Sequence, residues 1–436
     1  MKVLLIIEQC NPNWPSVPLV GFQLFQALNA IADVTLVTHG RNQADLEQHT
    51  ITPKRIVYLH ESAFIRNYYQ IATAWLPGGM ANWPLYHVLT YPIYAEFNHQ
   101  VYRQFKAAVA QGAYDIVHVI TPMMPRYPVK LIRACGTTPF VLGPVNGGIP
   151  FPKGFSRVAA QEFAYLNFFR ALGRWLIPGY LATYRKADRI LAGSVYTHDW
   201  LQDSLGVSSD RLALLPENGL DALFLQSQPR TLSSELLRIL FVGRLVPYKC
   251  ADLVIAAIAQ LSATEQQRVQ LTIVGDGPQR PFLEQQVQQL HLQQQVQFVG
   301  WVPQAETRNY YLQSDVFCFP SIREFGGAVV LEAMACGLPC IVADYGGIGE
   351  YVTPETGFKL PPTSREALTA GIVQSLQILL HEPDRYAHLS QAAIHRATTF
   401  SWPHKAQQIL KHYQTLIDSH TAVHTSTSTK NLSTFT

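Results

Sequence analysis

Between residues 323 and 340 the chain reads Arg-Glu-Phe-Gly-Gly-Ala-Val-Val-Leu-Glu-Ala-Met-Ala-Cys-Gly-Leu-Pro-Cys, bringing two carboxylates, paired glycines and a helix start together. Gly326 and Gly327 lack Cβ, so a ligand can approach the backbone. The N–H groups of Gly327, Ala328 and Val329 open a helix and are left to donate. Donors at a helix N-terminus suit an anion. Glu324 and Glu332 add acceptors, which phosphate alone cannot use but sugar hydroxyls can. A phosphate linked to sugars, as in a nucleotide sugar, fits both kinds of group. The helix is expected to run to Ala335, with Val330, Leu331, Met334 and Ala335 on one face and Glu332 off it, toward loop or solvent. Gly337 and Pro339 stop it. The competing reading is a capped helix in an ordinary α/β core with two solvated glutamates.

Strands must frame this stretch. Val316 to Pro320 and Cys340 to Ala343 are apolar runs of strand length, so the residues between them form a crossover in a parallel sheet. Such sheets bind ligands at strand C-termini. The second half of the chain repeats the pattern: Leu237 to Val242 then a helix, Val269 to Val274 then a helix, and Val296 to Val299. Strand and helix in alternation predict a doubly wound parallel sheet. Arg244 falls just past the strand ending at Val242, and Lys249 follows at the next helix start. Both cations are therefore expected in the same crevice as the Gly326 loop, where they would stabilise a departing diphosphate.

Taken together these motifs resemble the family 4 retaining glycosyltransferases of GT-B fold. The likeness is carried by Glu324-x7-Glu332 with Phe325-Gly326-Gly327 and Glu332-Ala333-Met334-Ala335, by Phe241-Val242-Gly243-Arg244-Leu245 with Lys249, and by Val274-Gly275-Asp276-Gly277. Pro216-Glu217-Asn218-Gly219-Leu220-Asp221 and Phe400-Ser401-Trp402 complete it, so it spans the whole C-terminal half. The resemblance implies two doubly wound Rossmann-like domains facing across a cleft, with Arg244, Lys249 and Glu324 as catalytic residues. It gives Glu332 the ribose hydroxyls and Glu324 the donor-sugar hydroxyls. The N–H groups from Phe325 to Ala328 would hold sugar and diphosphate, and the loop beginning at Val299 the base. Retention at the anomeric carbon follows from the same resemblance. Three departures stand out. Val20-Gly21 replaces a Gly-Gly near the donor phosphates, leaving only Gly21. Lys249-Cys250 replaces Lys-Gly. The loop Gly143 to Gly148 lacks the histidine that touches the sugar in relatives, leaving Asn146, Gly147 and Gly148 as candidates.

Length bounds the organisation. A chain of 436 residues suggests two domains, expected here as 1–215 and 216–400, with a helix over 401–417 crossing back and a Ser/Thr-rich, disordered tail over 418–436. Apolar residues at 48% and charged residues at 14% describe a well-buried globular protein. The six cysteines include no C-x-x-C pair and read as reduced, packed thiols of a cytoplasmic protein. The opening apolar run ends at Glu8, too short for a signal peptide and right for a first strand. No apolar run approaches a membrane span. Net charge is +8 over residues 1–190 and −5 over 191–436. Aromatics crowd residues 64–105, and aromatics with cations fill 163–184, which reads either as a domain core with a cationic rim or as contact with the inner face of a membrane. His118 lies within the strand Asp115 to Ile120 and reads first as a hydrogen-bonded structural histidine, with a place in the acceptor or sugar cleft as the alternative.

The expectation is a glycosyltransferase moving a hexose-type sugar from a UDP- or GDP-linked donor to a glycan, lipid-linked or small-molecule acceptor. No cofactor, metal or nucleic acid is expected. The chain holds no Asp-x-Asp to bind a metal, so Arg244 and Lys249 take that part. A nucleotide-sugar epimerase and a non-catalytic sugar-nucleotide binding protein of the same fold are the alternatives. An NAD oxidoreductase is disfavoured, because the Pro-rich loop at 11–18 supplies no glycine fingerprint after the first strand.

Overall fold

A computed structural model describes residues 1–49, 55–74, 83–124, 127–162, 176–225, 228–232 and 236–432. The chain divides into two compact units. The first comprises Met1–Gly148, Tyr165–Glu217 and Trp402–Thr436; the second, Ile149–Ala164 and Asn218–Ser401. Residues 149–164, expected within the first domain, thus pack with the second.

In the first unit, β1 (Lys2–Ile7), β2 (Asp33–His39), β3 (Arg55–Leu59), β4 (Ile116–Thr121), β5 (Phe140–Val145), β6 (Arg189–Ala192) and β7 (Leu212–Leu214) form a parallel sheet ordered β3-β2-β1-β4-β5-β6-β7. Val3 to Ile7 are all buried, as a strand covered on both faces requires. The helix Trp402–Leu432 buries Trp402, Ala406, Ile409, Tyr413 and Leu416 in this core. It runs past Asp418 to Leu432, so the expected end near residue 417 is corrected. Apolar spacing marks where a helix is buried, and it fades before this helix ends.

In the second unit, β8 (Leu237–Val242), β9 (Val269–Val274), β10 (Val296–Gly300), β11 (Val316–Phe319), β12 (Cys340–Ala343) and β13 (Gly357–Leu360) are ordered β10-β9-β8-β11-β12-β13, all parallel. Here the order reverses between β8 and β11, and in the first unit between β1 and β4. Each reversal opens a crevice at the strand C-termini. Arg244 follows β8 and Glu324 follows β11.

Candidate active site

At the β8/β11 reversal the chain leaves β8 through Gly243-Arg244-Leu245 and turns through the short 3-10 helix Pro247–Lys249. Lys249 is 8% exposed. Its Nζ bonds the Glu324 carboxylate through Oε2 and lies 4.8 Å from the centroid of the Phe319 ring. A cation this far from water needs such a partner. Arg244 donates to the Tyr248 hydroxyl at 2.7 Å. The structure thus joins Lys249 to Glu324 directly and sets Arg244 beside them through Tyr248.

Gly327 has φ +64° and caps the helix Ala328–Ala335 in the left-handed region that glycine tolerates. The expectation that Gly327 and Ala328 keep free N–H groups is corrected. With its amide turned to satisfy hydrogen bonding, Asn218 accepts from Gly327 N–H at 3.1 Å and from Ala328 N–H at 3.3 Å. A side-chain oxygen thereby does what a capping residue does, from elsewhere in the chain. Gly326 is buried, and Phe325 is half-buried. A neighbouring loop presses on this backbone: Gly347 N–H donates to the Glu324 carbonyl at 3.0 Å, and a Cβ on Gly347 would lie 2.0 Å from the Phe325 carbonyl oxygen.

Glu332 does not face solvent. It is 5% exposed, accepting from the Tyr311 hydroxyl at 2.9 Å and from the Gln304 amide at 2.7 Å. Burial pushes its carboxyl above the usual range, opposed by these two donors. The helical face counted as polar from its one glutamate is covered by the helix Gln304–Gln313, whose polar groups make that burial affordable. Gln304 also links Glu332 to the segment just past β10. Val299 there is half-buried against the second unit's core, and Trp301 is 75% exposed.

The first-unit candidates are placed differently. His118 is fully buried; Nε2 donates to the Gly143 carbonyl at 2.6 Å, so Nδ1 accepts from the Tyr413 hydroxyl. Asn146 is 2% exposed, its Oδ1 accepting from Ser194 Oγ at 3.0 Å and Thr197 Oγ1 at 2.9 Å, while Gly147 N–H donates to Thr197 Oγ1 at 3.2 Å. All three are thus bonded within the first unit. Gly21 sits inside the helix Val17–Asn29, where a Cβ would meet the Gln9 carbonyl oxygen at 2.6 Å, so close packing accounts for it. At the β1/β4 reversal Gln9 N–H donates to Thr121 Oγ1 at 3.1 Å.

Of the aromatics, Tyr94, Phe97 and Phe105 are buried core, whereas Phe64 and Ile71, on the helix Ala63–Ala74, are exposed. Trp75, Phe168, Phe169, Arg170, Arg174 and Trp175 lie outside the described residues. No helix among the described residues is long and apolar enough to cross a membrane. A cavity of about 690 Å³ touches Arg238, Gln270, Tyr310 and Asp315, toward the N-terminal ends of the strands and away from the β8/β11 crevice.

Residues 226–396 match the family model described as Glycosyl transferases group 1. The match covers less than half of the chain and lies within the second unit. The chain is 31% identical over 245 residues to the D-inositol 3-phosphate glycosyltransferase of Rhodococcus jostii (strain RHA1), covering 52% of this chain and 53% of that one. It is 30% identical over 237 residues to the glycogen synthase of Mycobacterium tuberculosis (strain ATCC 25618 / H37Rv), covering 53% of each. The match spans about half the length of these relatives. Among solved structures it is similar to Anabaena Alr3699/HepE in complex with UDP (TM-score 0.61, 19% identical, 95% of this chain and 100% of that one). It is similar also to sucrose-phosphate synthase from Thermosynechococcus elongatus (TM-score 0.63, 21% identical, 96% and 99%). At these identities the likeness shows the fold, two Rossmann-like parallel-sheet units of GT-B type. The matched stretch contains Arg244, Lys249, Glu324 and Glu332 together.

Proposed function

We propose that this chain is a retaining, metal-independent glycosyltransferase that moves a hexose-type sugar from a UDP- or GDP-linked donor to a glycan, lipid-linked or small-molecule acceptor. The observation that carries the proposal is the Lys249–Glu324 pair beside Arg244 at the β8/β11 reversal, inside the stretch that matches the group 1 glycosyltransferases. Glu324, held through Oε2, offers its other oxygen to sugar hydroxyls. Arg244 and Lys249 meet the diphosphate, whose charge grows as the sugar leaves, so they stabilise the transition state more than the bound donor. Glu332, fixed by Gln304 and Tyr311, takes ribose hydroxyls. The HepE structures with UDP and with UDP-glucose support a nucleotide-sugar donor. Acceptor binding is assigned to the first unit.

Incubation with a panel of radiolabelled UDP- and GDP-sugars, with and without glycan and lipid extracts, tests the reading. Transfer that needs an acceptor, survives EDTA and keeps the anomeric configuration is expected. A strict Mn2+ or Mg2+ requirement, or sugar rearrangement with no acceptor present, contradicts it. We further propose that the protein works in the cytoplasm and touches the inner face of the membrane through Phe64 and Ile71. It should sediment with anionic liposomes at low salt, and no binding there rejects the membrane contact.

A further inference from the structure

The cavity of about 690 Å³ at the other end of the second sheet has no part in the donor reading. Its floor departs from the way a parallel sheet is built. Strands covered on both faces are apolar throughout, yet β9, which lies between β8 and β10, alternates. Val269, Leu271 and Ile273 are buried in the core on one face, while Gln270 and Thr272 stand half-buried on the other. Register sets Arg238 of β8 beside Gln270, and Gln297 of β10 beside Thr272, so these four side chains share one face. The cavity lies over that face. Arg230 and Thr231 line one side of it, and the end of the helix Gln304–Gln313 with Ser314 and Asp315 lines another.

The sides are pinned, and their charge is largely spent. Arg230 N–H donates to Ser390 Oγ at 2.9 Å, and its guanidinium donates to the Leu312 and Ser314 carbonyls. Asp315 Oδ2 accepts from the Arg238 backbone N–H at 2.8 Å and faces the Arg238 guanidinium at 3.5 Å, while the Tyr386 hydroxyl holds the Asp315 carbonyl at 2.9 Å. One guanidinium is committed to backbone and the other is balanced by a carboxylate, so little net field remains for an anion. The side chains of Gln270, Thr272, Gln297 and Gln313 have no hydrogen-bond partner among the described residues. Each amide offers donors and an acceptor, and the hydroxyl does both. A ligand that meets all four must donate and accept at several points. Diphosphate oxygens only accept; sugar hydroxyls do both. Tyr310 and Leu312 add apolar surface for the C–H faces of a sugar ring, and the volume falls within the roughly 300–1,000 Å³ of small-molecule sites.

We propose that this cavity is a carbohydrate-binding site, holding an uncharged, hydroxyl-rich oligosaccharide on the polar face of β8, β9 and β10, apart from the β8/β11 crevice. No transfer takes place there; the site keeps a glycan on the protein. The inference goes beyond the nucleotide-sugar reading and does not rest on it.

Saturation-transfer NMR and calorimetry of the full chain with maltotriose, cellotriose, mannotriose and chitotriose, beside inorganic phosphate and UDP, test it. At least one of the neutral trisaccharides should bind, and its Kd should rise about tenfold or more in Gln270→Leu and in Thr272→Val, each of which removes polar partners at nearly constant volume. Melting temperature and UDP binding should stay as in the wild type. Crystals of the wild type soaked with the bound trisaccharide should show it against Gln270 and Gln297, a reading that needs no variant. Binding of none of the trisaccharides overturns the inference, as does binding that both variants leave unchanged. Affinity for phosphate or UDP that falls in Gln270→Leu makes the cavity an anion site and overturns it too. A wild type that binds trisaccharide in the cavity and ignores UDP upholds this inference while counting against the nucleotide-sugar reading.

Discussion

A buried carboxylate costs free energy unless its oxygens are satisfied, and Glu332 shows how a site residue can be kept there. Tyr311 and Gln304 bond both its oxygens, so it is held at a fixed angle. His118 presents the opposite outcome: both ring nitrogens are spent on the framework, and burial lowers its pKa to about 4. The unfolded chain takes up that proton near pH 6.5, so between pH 6.5 and 4 unfolding binds a proton and stability falls as pH falls. Urea unfolding midpoints should drop across this window in the wild type and drop less in His118→Gln; equal slopes contradict the assignment. At this scale the surroundings of the named side chains are what the sequence hides. Glu332 stands among apolar residues in the sequence, and its own helix shows only one face, so the sequence alone points it toward solvent. Asn218 lay in a motif without a role, since nothing local reveals that it caps a helix more than a hundred residues away.

Elements position these groups through backbone contact as much as through side chains. Gly347 has an ordinary φ of −62°, so its lack of Cβ matters for space: the Phe325 carbonyl occupies the position a methyl would need. Gly347→Ala should push the 324–326 loop aside and lower kcat/KM by about a hundredfold, the order expected for an ångström-scale misplacement of catalytic groups. Steady-state kinetics beside a melting curve checks this, and an active Gly347→Ala enzyme would show that the loop tolerates displacement. Most strands were legible because parallel strands buried on both faces are continuous apolar runs. β13 was not: Gly-Phe-Lys-Leu is four residues at a sheet edge, half-buried, with no run to mark it. Chain order alone puts residues 149–162 with the first unit, because long-range packing is not what a sequence displays.

Across the whole molecule, two sheets of the same winding each reverse beside their first strand, and the motifs with chemistry gather at one of these reversals. The group 1 match covers residues 226–396, the part whose motifs were most legible. The first unit carries net positive charge in a sequence whose motifs are weaker, and the glycine and histidine it lacks are those that the resemblance places at the donor phosphates and at the sugar. The proposed function requires a diphosphate to lie where β8 and β11 end. A crystal structure of the full chain with UDP measures this directly: the account predicts phosphate oxygens within about 3 Å of the Arg244 guanidinium and Lys249 Nζ, with the ribose at Glu332. Nucleotide bound elsewhere, such as in the cavity lined by Arg238 and Asp315, with both cations left untouched, would contradict it.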